Sequence, residues 1–321
     1  MAPGKGDLQP LKRGFSAALG VILGSIFFAC SAPQSGGGSF NELKIQESID
    51  AVNLALSHQD CASALTVIQP IFESSSSRDD VRLATAHANA CYTGFSLFSF
   101  LQNLTTFSGN LGGGGLWSFL VKQFPSRAVP GDAVVESSKN AMDALLAMTL
   151  PGLPRQTFGW VNLTTQNPGS LILSQRQDAA NSLLPFMAMA NMGSLLSRNG
   201  VPDSSFHQTQ ALTWLDPTKT KGDGCSFASS LLLFVDSIDY LQSVSSVAAA
   251  SAYSQMSHYL VLGLDTACAY GCRYLCGSEA LCTSCPFLLR DRTQCSGTVT
   301  DAYSCAAAGI ARFVDLDWQG P

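Results

Sequence analysis

Apolar residues recur with a helical period over much of the chain. Ile45, Ile49, Val52 and Leu56 stand at i, i+4, i+7 and i+11, which places them on one face of an amphipathic helix. A second stripe follows in Cys61, Ala64, Leu65, Ile68, Ile71 and Phe72. Asp60 precedes it, with a short carboxylate suited to capping the first turn. Pro70 falls late in this stripe, and its missing N–H predicts a kink or an early end. The polar run Glu73–Asp80 (ESSSSRDD) reads as a loop offering several caps. A third stripe aligns Ala84, Ala88, Cys91, Phe95 and Phe98.

Further along, the pattern predicts a helix over Asp132–Met148, with Val135, Met142, Leu145 and Leu146 inward and Glu136, Lys139 and Asn140 outward. Pro151, Pro154 and Pro168 bracket an irregular stretch containing Phe158 and Trp160. Ser174–Arg198 is helical again, with a kink expected at Pro185. Its stripe of Met187, Met189, Met192 and Leu196 reads as adaptable core. Between Leu83 and Val121 there is no formal charge, and Gly112–Gly115 lead into LWSFLV. That segment is expected to pack as a short core helix; the other reading puts Trp117 and Phe119 at a membrane interface or in a partner's groove. After the polar turn Lys219–Gly224, Cys225 to Leu264 reads as one or two apolar helices. The uncharged Tyr240–Leu264 carries many serines and two glutamines, which favours burial in protein over a lipid-facing span. The expected fold is therefore all-α, with a lobe of helical hairpins over 40–200 and a cysteine-rich helical lobe over 201–321.

The N-terminal 39 residues follow a different grammar. Lys5, Lys12 and Arg13 precede an apolar run from Phe15 to Ala29, and SAPQSGGGS follows Cys30 as a flexible tether over 31–39. A basic start, a short apolar middle and a small residue before the cut predict a signal peptide over 1–29. The run falls short of the roughly 20 apolar residues that span a bilayer comfortably. Ala29-Cys30 resembles the lipobox of bacterial lipoproteins, although Phe27 stands where that family usually has an aliphatic residue. The resemblance implies cleavage before Cys30, palmitate-type acyl chains on Cys30, and a body held at the membrane by them. Ser31 lacks the Asp that retains many such proteins at the inner membrane, so the resemblance points to the outer membrane, facing the periplasm.

The helix–turn–helix pattern over 43–101 looks like tetratricopeptide-type hairpins, without the usual Trp, Gly and Tyr signature or a second copy at a fixed period. In layout (leader, Cys, tether, hairpins) the chain is similar to T-component lipoproteins associated with TRAP transporters.

Composition fits an exported globular chain. Of its 321 residues 46% are hydrophobic and 13% charged, and the net charge is -5. Loss of 1–29 would remove three cations and one anion, leaving a more acidic body without the basic footprint of a nucleic-acid binder. There are eleven cysteines; acylation of Cys30 leaves an even set, as a disulfide framework requires.

Seven of these crowd the C-terminal region as Cys268, Cys272, Cys276, Cys282, Cys285, Cys295 and Cys305. Either they hold zinc or an iron–sulfur cluster, or they pair as disulfides with Cys225 completing the set. Their spacing fits no common metal pattern closely, and the exported context favours disulfides. A second cluster, His58-x-x-Cys61 and His87-x3-Cys91, has mixed zinc-finger spacing. We favour a Cys61–Cys91 staple there, with both histidines as ordinary surface or boundary residues.

No catalytic set emerges. The four histidines (His58, His87, His207, His258) lie in no recognisable motif, and there is no G-x-S-x-G elbow, H-E-x-x-H pair or P-loop. Asp236 and Asp239 share a helical face and could serve a cation or acid/base chemistry, but a solvated helix edge explains them more simply. No cofactor is expected. The sequence points to a binding or scaffolding protein that meets an envelope partner through grooves between helices, with a ligand-binding accessory of a transport system as the alternative.

Overall fold

The computed structural model describes residues 40–95, 131–148 and 178–212, with single helical positions at 117, 120–122, 223, 226, 227, 230, 231, 233, 234 and 237. These residues are mainly α-helical, as the periodicity predicts. The five complete helices are α1 (Phe40–Ser57), α2 (Cys61–Ser75), α3 (Asp79–Tyr92), α4 (Gly131–Leu146) and α5 (Asp178–Gly200). Among the described residues there is no strand, only an isolated antiparallel bridge between Pro202 and Gln208. No described helix is long and apolar enough to cross a membrane.

The first three helices close on the stripes read from the sequence. Val52, Ala64, Ile68, Val81, Ala84 and Ala88 form a buried cluster, with Ile45, Ile49, Leu56, Leu65, Ile71 and Phe72 packed around it. Asp60 caps α2: its Oδ1 accepts the Ser63 N–H at 3.0 Å. Hydrogen bonds from Ser63 hold the Asp60 carboxyl below its usual range. Gln59 takes a left-handed φ of 59° in the turn between α1 and α2, and the Asp60 N–H returns to the Ala55 carbonyl at 2.9 Å.

Three local expectations are corrected. Helix α2 does not stop at Pro70 but runs on to Ser75. Pro70 and Thr66, whose carbonyl loses its partner there, both face solvent, so water can satisfy the freed acceptor. The expected loop Glu73–Asp80 is shorter, because Glu73–Ser75 end α2 and Asp79–Asp80 begin α3. Ser74 Oγ donates back to the Pro70 carbonyl at 3.0 Å, and the two aspartates suit the positive end of the α3 dipole. Helix α3 ends at Tyr92, before Phe95. Thr93 is its C-cap, and Gly94 follows at φ +71°, a conformation glycine adopts without Cβ strain.

Helix α3 is shared by two layers. It packs on α1 and α2, on α4 and, more lightly, on α5. Its sequence DDVRLATAHANACY buries Val81, Ala84, Ala86, Ala88 and Ala90, so the small side chains allow neighbours to approach from both sides. Helix α4 turns Val135, Met142, Leu145 and Leu146 inward as expected. Its contact with α5 is the most extensive between described helices. Helix α5 starts at Asp178 and ends at Gly200, a few residues later at each end than Ser174–Arg198. Pro185 lies within it, and Met187, Met189, Met192 and Leu196 are all buried. Phe186 meets Phe95 with ring centroids 5.0 Å apart.

Arg78 locks the start of α1 to the α2–α3 turn. Its guanidinium pairs with Glu42 and, at 2.6 Å, with Asp80 Oδ2. The Arg78 bond holds the Asp80 carboxyl below its usual range, with the Val81 N–H contributing. A depressed folded-state pKa gives stability that is present above the unfolded pKa of about 3.9 and lost as pH falls through the folded value. Asp80→Asn should therefore destabilise at neutral pH by roughly 0.2–1 kcal/mol, as screened surface pairs do. In urea titrations the difference from the parent should persist down to about pH 4 and vanish below the folded pKa. A difference independent of pH would contradict this account of Asp80.

Candidate functional site

The structure joins Cys61 to Cys91 in a disulfide with 5.4 Å between the Cα atoms. The two sulfurs of the second cluster thus belong to each other. His58 and His87 both lie on exposed positions. Although its position is exposed, His87 has so much protein around it that desolvation lowers its pKa below the ordinary value. Trp117 is 3% exposed, which places it in the core and not at a membrane interface. Cys30, Cys225, Cys268, Cys272, Cys276, Cys282, Cys285, Cys295 and Cys305 lie outside the described residues, as do Phe119, Asp236, Asp239 and the leader and tether over 1–39.

A polar system that periodicity does not reveal runs along α5. Ser138 on α4, Asn191 on α5 and Ser230 are each fully buried. Asn191 Nδ2 donates to Ser138 Oγ at 3.1 Å and to the Val135 carbonyl at 3.3 Å. Ser230 Oγ donates to Asn191 Oδ1 at 2.8 Å. One amide thus fixes the register of three chain segments, since buried polar groups are costly unless bonded.

The C-terminal end of α5 carries a second system. Arg198 pairs with Asp223, and Asn199 Nδ2 donates to Asp223 Oδ2 at 3.0 Å and to the Leu195 carbonyl at 2.9 Å. The chain then turns at Val201, with φ 42°, and folds back so that the Thr209 N–H donates to the Gly200 carbonyl at 3.0 Å. Asp203 closes the loop: its Oδ1 accepts the Ser205 N–H at 2.7 Å and the His207 N–H at 2.9 Å. The bond from the His207 N–H is the main reason its carboxyl lies below the usual range. Trp117 Nε1 donates to the Phe206 carbonyl at 3.2 Å, and its ring lies against Gly200. A Cβ on Gly200 would stand within 2.8 Å of Trp117 Cζ3 and closer still to Cη2.

Chemically these groups clamp helix ends. His207 Nδ1 lies 3.4 Å from Asp203 Oδ2, and the Asp203 carboxylate is committed to the loop's backbone through Ser205 and His207. No three His, Cys, Asp or Glu side chains among the described residues gather closely enough to hold a metal ion. No family model, curated protein or solved structure matches the chain.

Two substitutions test this construction. Asn191→Ala leaves the buried Ser230 hydroxyl without its acceptor, while Ser138 Oγ keeps its bond to the Val135 carbonyl at 2.9 Å, and should cost about 1–3 kcal/mol in urea unfolding; a neutral result would mean that the node does not hold these segments. Gly200→Ala should cost about 1–3 kcal/mol through overpacking against Trp117. Adding Trp117→Phe should recover part of that loss, and strict additivity of the two changes would refute the contact.

Proposed function

We propose that the protein is a lipid-anchored envelope lipoprotein whose all-α body binds or scaffolds a partner protein through grooves between helices. The observation that carries the reading is the order of parts at the N-terminus. Three cations precede a 15-residue apolar run, Ala29-Cys30 closes it, and a Gly/Ser tether leads to α1 at Phe40. In this reading residues 1–29 are removed, acyl chains on Cys30 enter the bilayer, and residues 31–39 let the body stand clear of the surface. The Cys61–Cys91 bond supports an oxidising compartment. The short turns joining α1, α2 and α3 support a hairpin body of tetratricopeptide-like type, and the C-terminal cysteines would pair as disulfides in the same compartment. The outer membrane, periplasmic side, is the proposed location.

Detergent phase partition of the full chain expressed in a bacterial host, followed by intact-mass analysis, tests the anchor. The parent should enter the detergent phase with the mass of residues 30–321 plus acyl chains, and Cys30→Ser should not. Equal partition of both forms, or an unmodified Cys30 in the parent, would overturn the anchor.

A further inference from the structure

The Cys61–Cys91 bond links two helix ends of opposite polarity. Cys61 is the first residue of α2, directly after its Asp60 cap, whereas Cys91 lies in the last turn of α3. Both residues are partly exposed, so a small thiolate can reach the bond. The fully enclosed cluster between α1, α2 and α3 is Val52, Ala64, Ile68, Val81, Ala84 and Ala88, half of it alanine, and the larger side chains around it, Ile45, Ile49, Leu56, Leu65, Ile71 and Phe72, are only partly buried. On the other side of α3 the buried set includes Met142, Leu145, Leu146, Leu184, Met187 and Leu195. Among the described residues α1 and α2 pack chiefly on each other and on α3, whereas α3 also packs extensively on α4. Two helices of 18 and 15 residues are marginal on their own. The bond is the covalent tie between this hairpin and α3.

We infer that the Cys61–Cys91 disulfide is a redox latch, whose reduction by a dithiol releases the α1–α2 hairpin from α3 while α3, α4 and α5 stay folded. The thiolate of the reductant attacks the Cys91 sulfur, the S–S bond breaks, and Cys61 leaves as a thiolate that takes up a proton. The second thiol of the reductant then displaces Cys91, closing the reductant's own disulfide and freeing two protein thiols. This direction follows from helix polarity. A thiolate at the N-terminal turn of α2 is stabilised by the helix dipole and leaves faster, whereas one at the C-terminal turn of α3 is disfavoured. The neighbouring Asp60 carboxylate opposes the effect, but it is engaged by the Ser63 N–H. Opening uncovers Val81, Ala84 and Ala88 on α3. The latch depends on the bridge alone and holds whether or not Cys30 is acylated.

Hydrogen exchange on the full chain, comparing the parent with Cys61→Ser/Cys91→Ser, tests the latch and leaves the other cysteines in place. Loss of a bond across a separation of 30 residues should raise exchange in α1 and α2 by roughly 10²–10³-fold, from the loop-closure entropy. Loss of the bond also lowers global stability, so α5 can speed up too, but in the variant its middle should stay far better protected than α1–α2. Unaltered exchange in α1–α2, or an α5 no better protected than α1–α2 in the variant, would overturn the latch. Should the double variant fail to fold, trapping the parent with glutathione decides. The mixed disulfide is expected on Cys91 with Cys61 free; an adduct on Cys61, or none on either, would overturn the proposed exchange.

Discussion

Helix α5 is buried on nearly every side, and much of the structure follows from that constraint. A helix with a dry face all round cannot leave its polar side chains to water. An Asn or Ser buried along it costs about 1–3 kcal/mol when left unpaired, and among the described residues Ser197 Oγ is the α5 hydroxyl left so. Asn191 meets this by spending both ends of its amide on Ser138, Val135 and Ser230. Those bonds define how α4 and the segment around position 230 lie along α5. At its C-terminal end, Asp223 and the folded-back loop through Thr209 satisfy Asn199, Arg198 and the last carbonyls.

Helix α3 distributes the rest. Its alanines bring α1 and α2 close on one side and α4 on the other, without large side chains to fill either gap. On the α4–α5 side the neighbours supply methionines and leucines. On the α1–α2 side the buried cluster is small, and the Cys61–Cys91 bond compensates by restricting the unfolded chain, worth about 3–4 kcal/mol for a loop of this length. The ion pair of Arg78 with Glu42 adds a second, weaker tie at the start of α1.

What the sequence made legible was local. The stripe Ile45, Ile49, Val52, Leu56 and the cap Asp60 were readable because a helix repeats its environment every few residues. Pairing of Cys61 with Cys91 was readable because two neighbouring helices with short turns bring those positions together. That the helix runs past Pro70 was not readable, since this depends on whether the freed Thr66 carbonyl faces water, which periodicity does not state. Phe95 was read into α3 on spacing alone, although Gly94 was an available stop signal. Contacts between distant segments were illegible for a different reason. Nothing near Asn191 announces Ser138 or Ser230, and nothing near Gly200 announces Trp117; their complementarity exists only once the helices have packed. Trp117 was nonetheless correctly assigned to the core, because an apolar segment of that length is buried more easily than displayed.

Native-state hydrogen exchange on the unmodified, oxidised chain tests most directly the claim that α5 is the centre of the body. The account predicts that the slowest amides lie in α5 around Leu184–Leu196 and on the facing side of α4, exchanging only with global unfolding. Slowest exchange in α1 or α2, with α5 opening first, would contradict it.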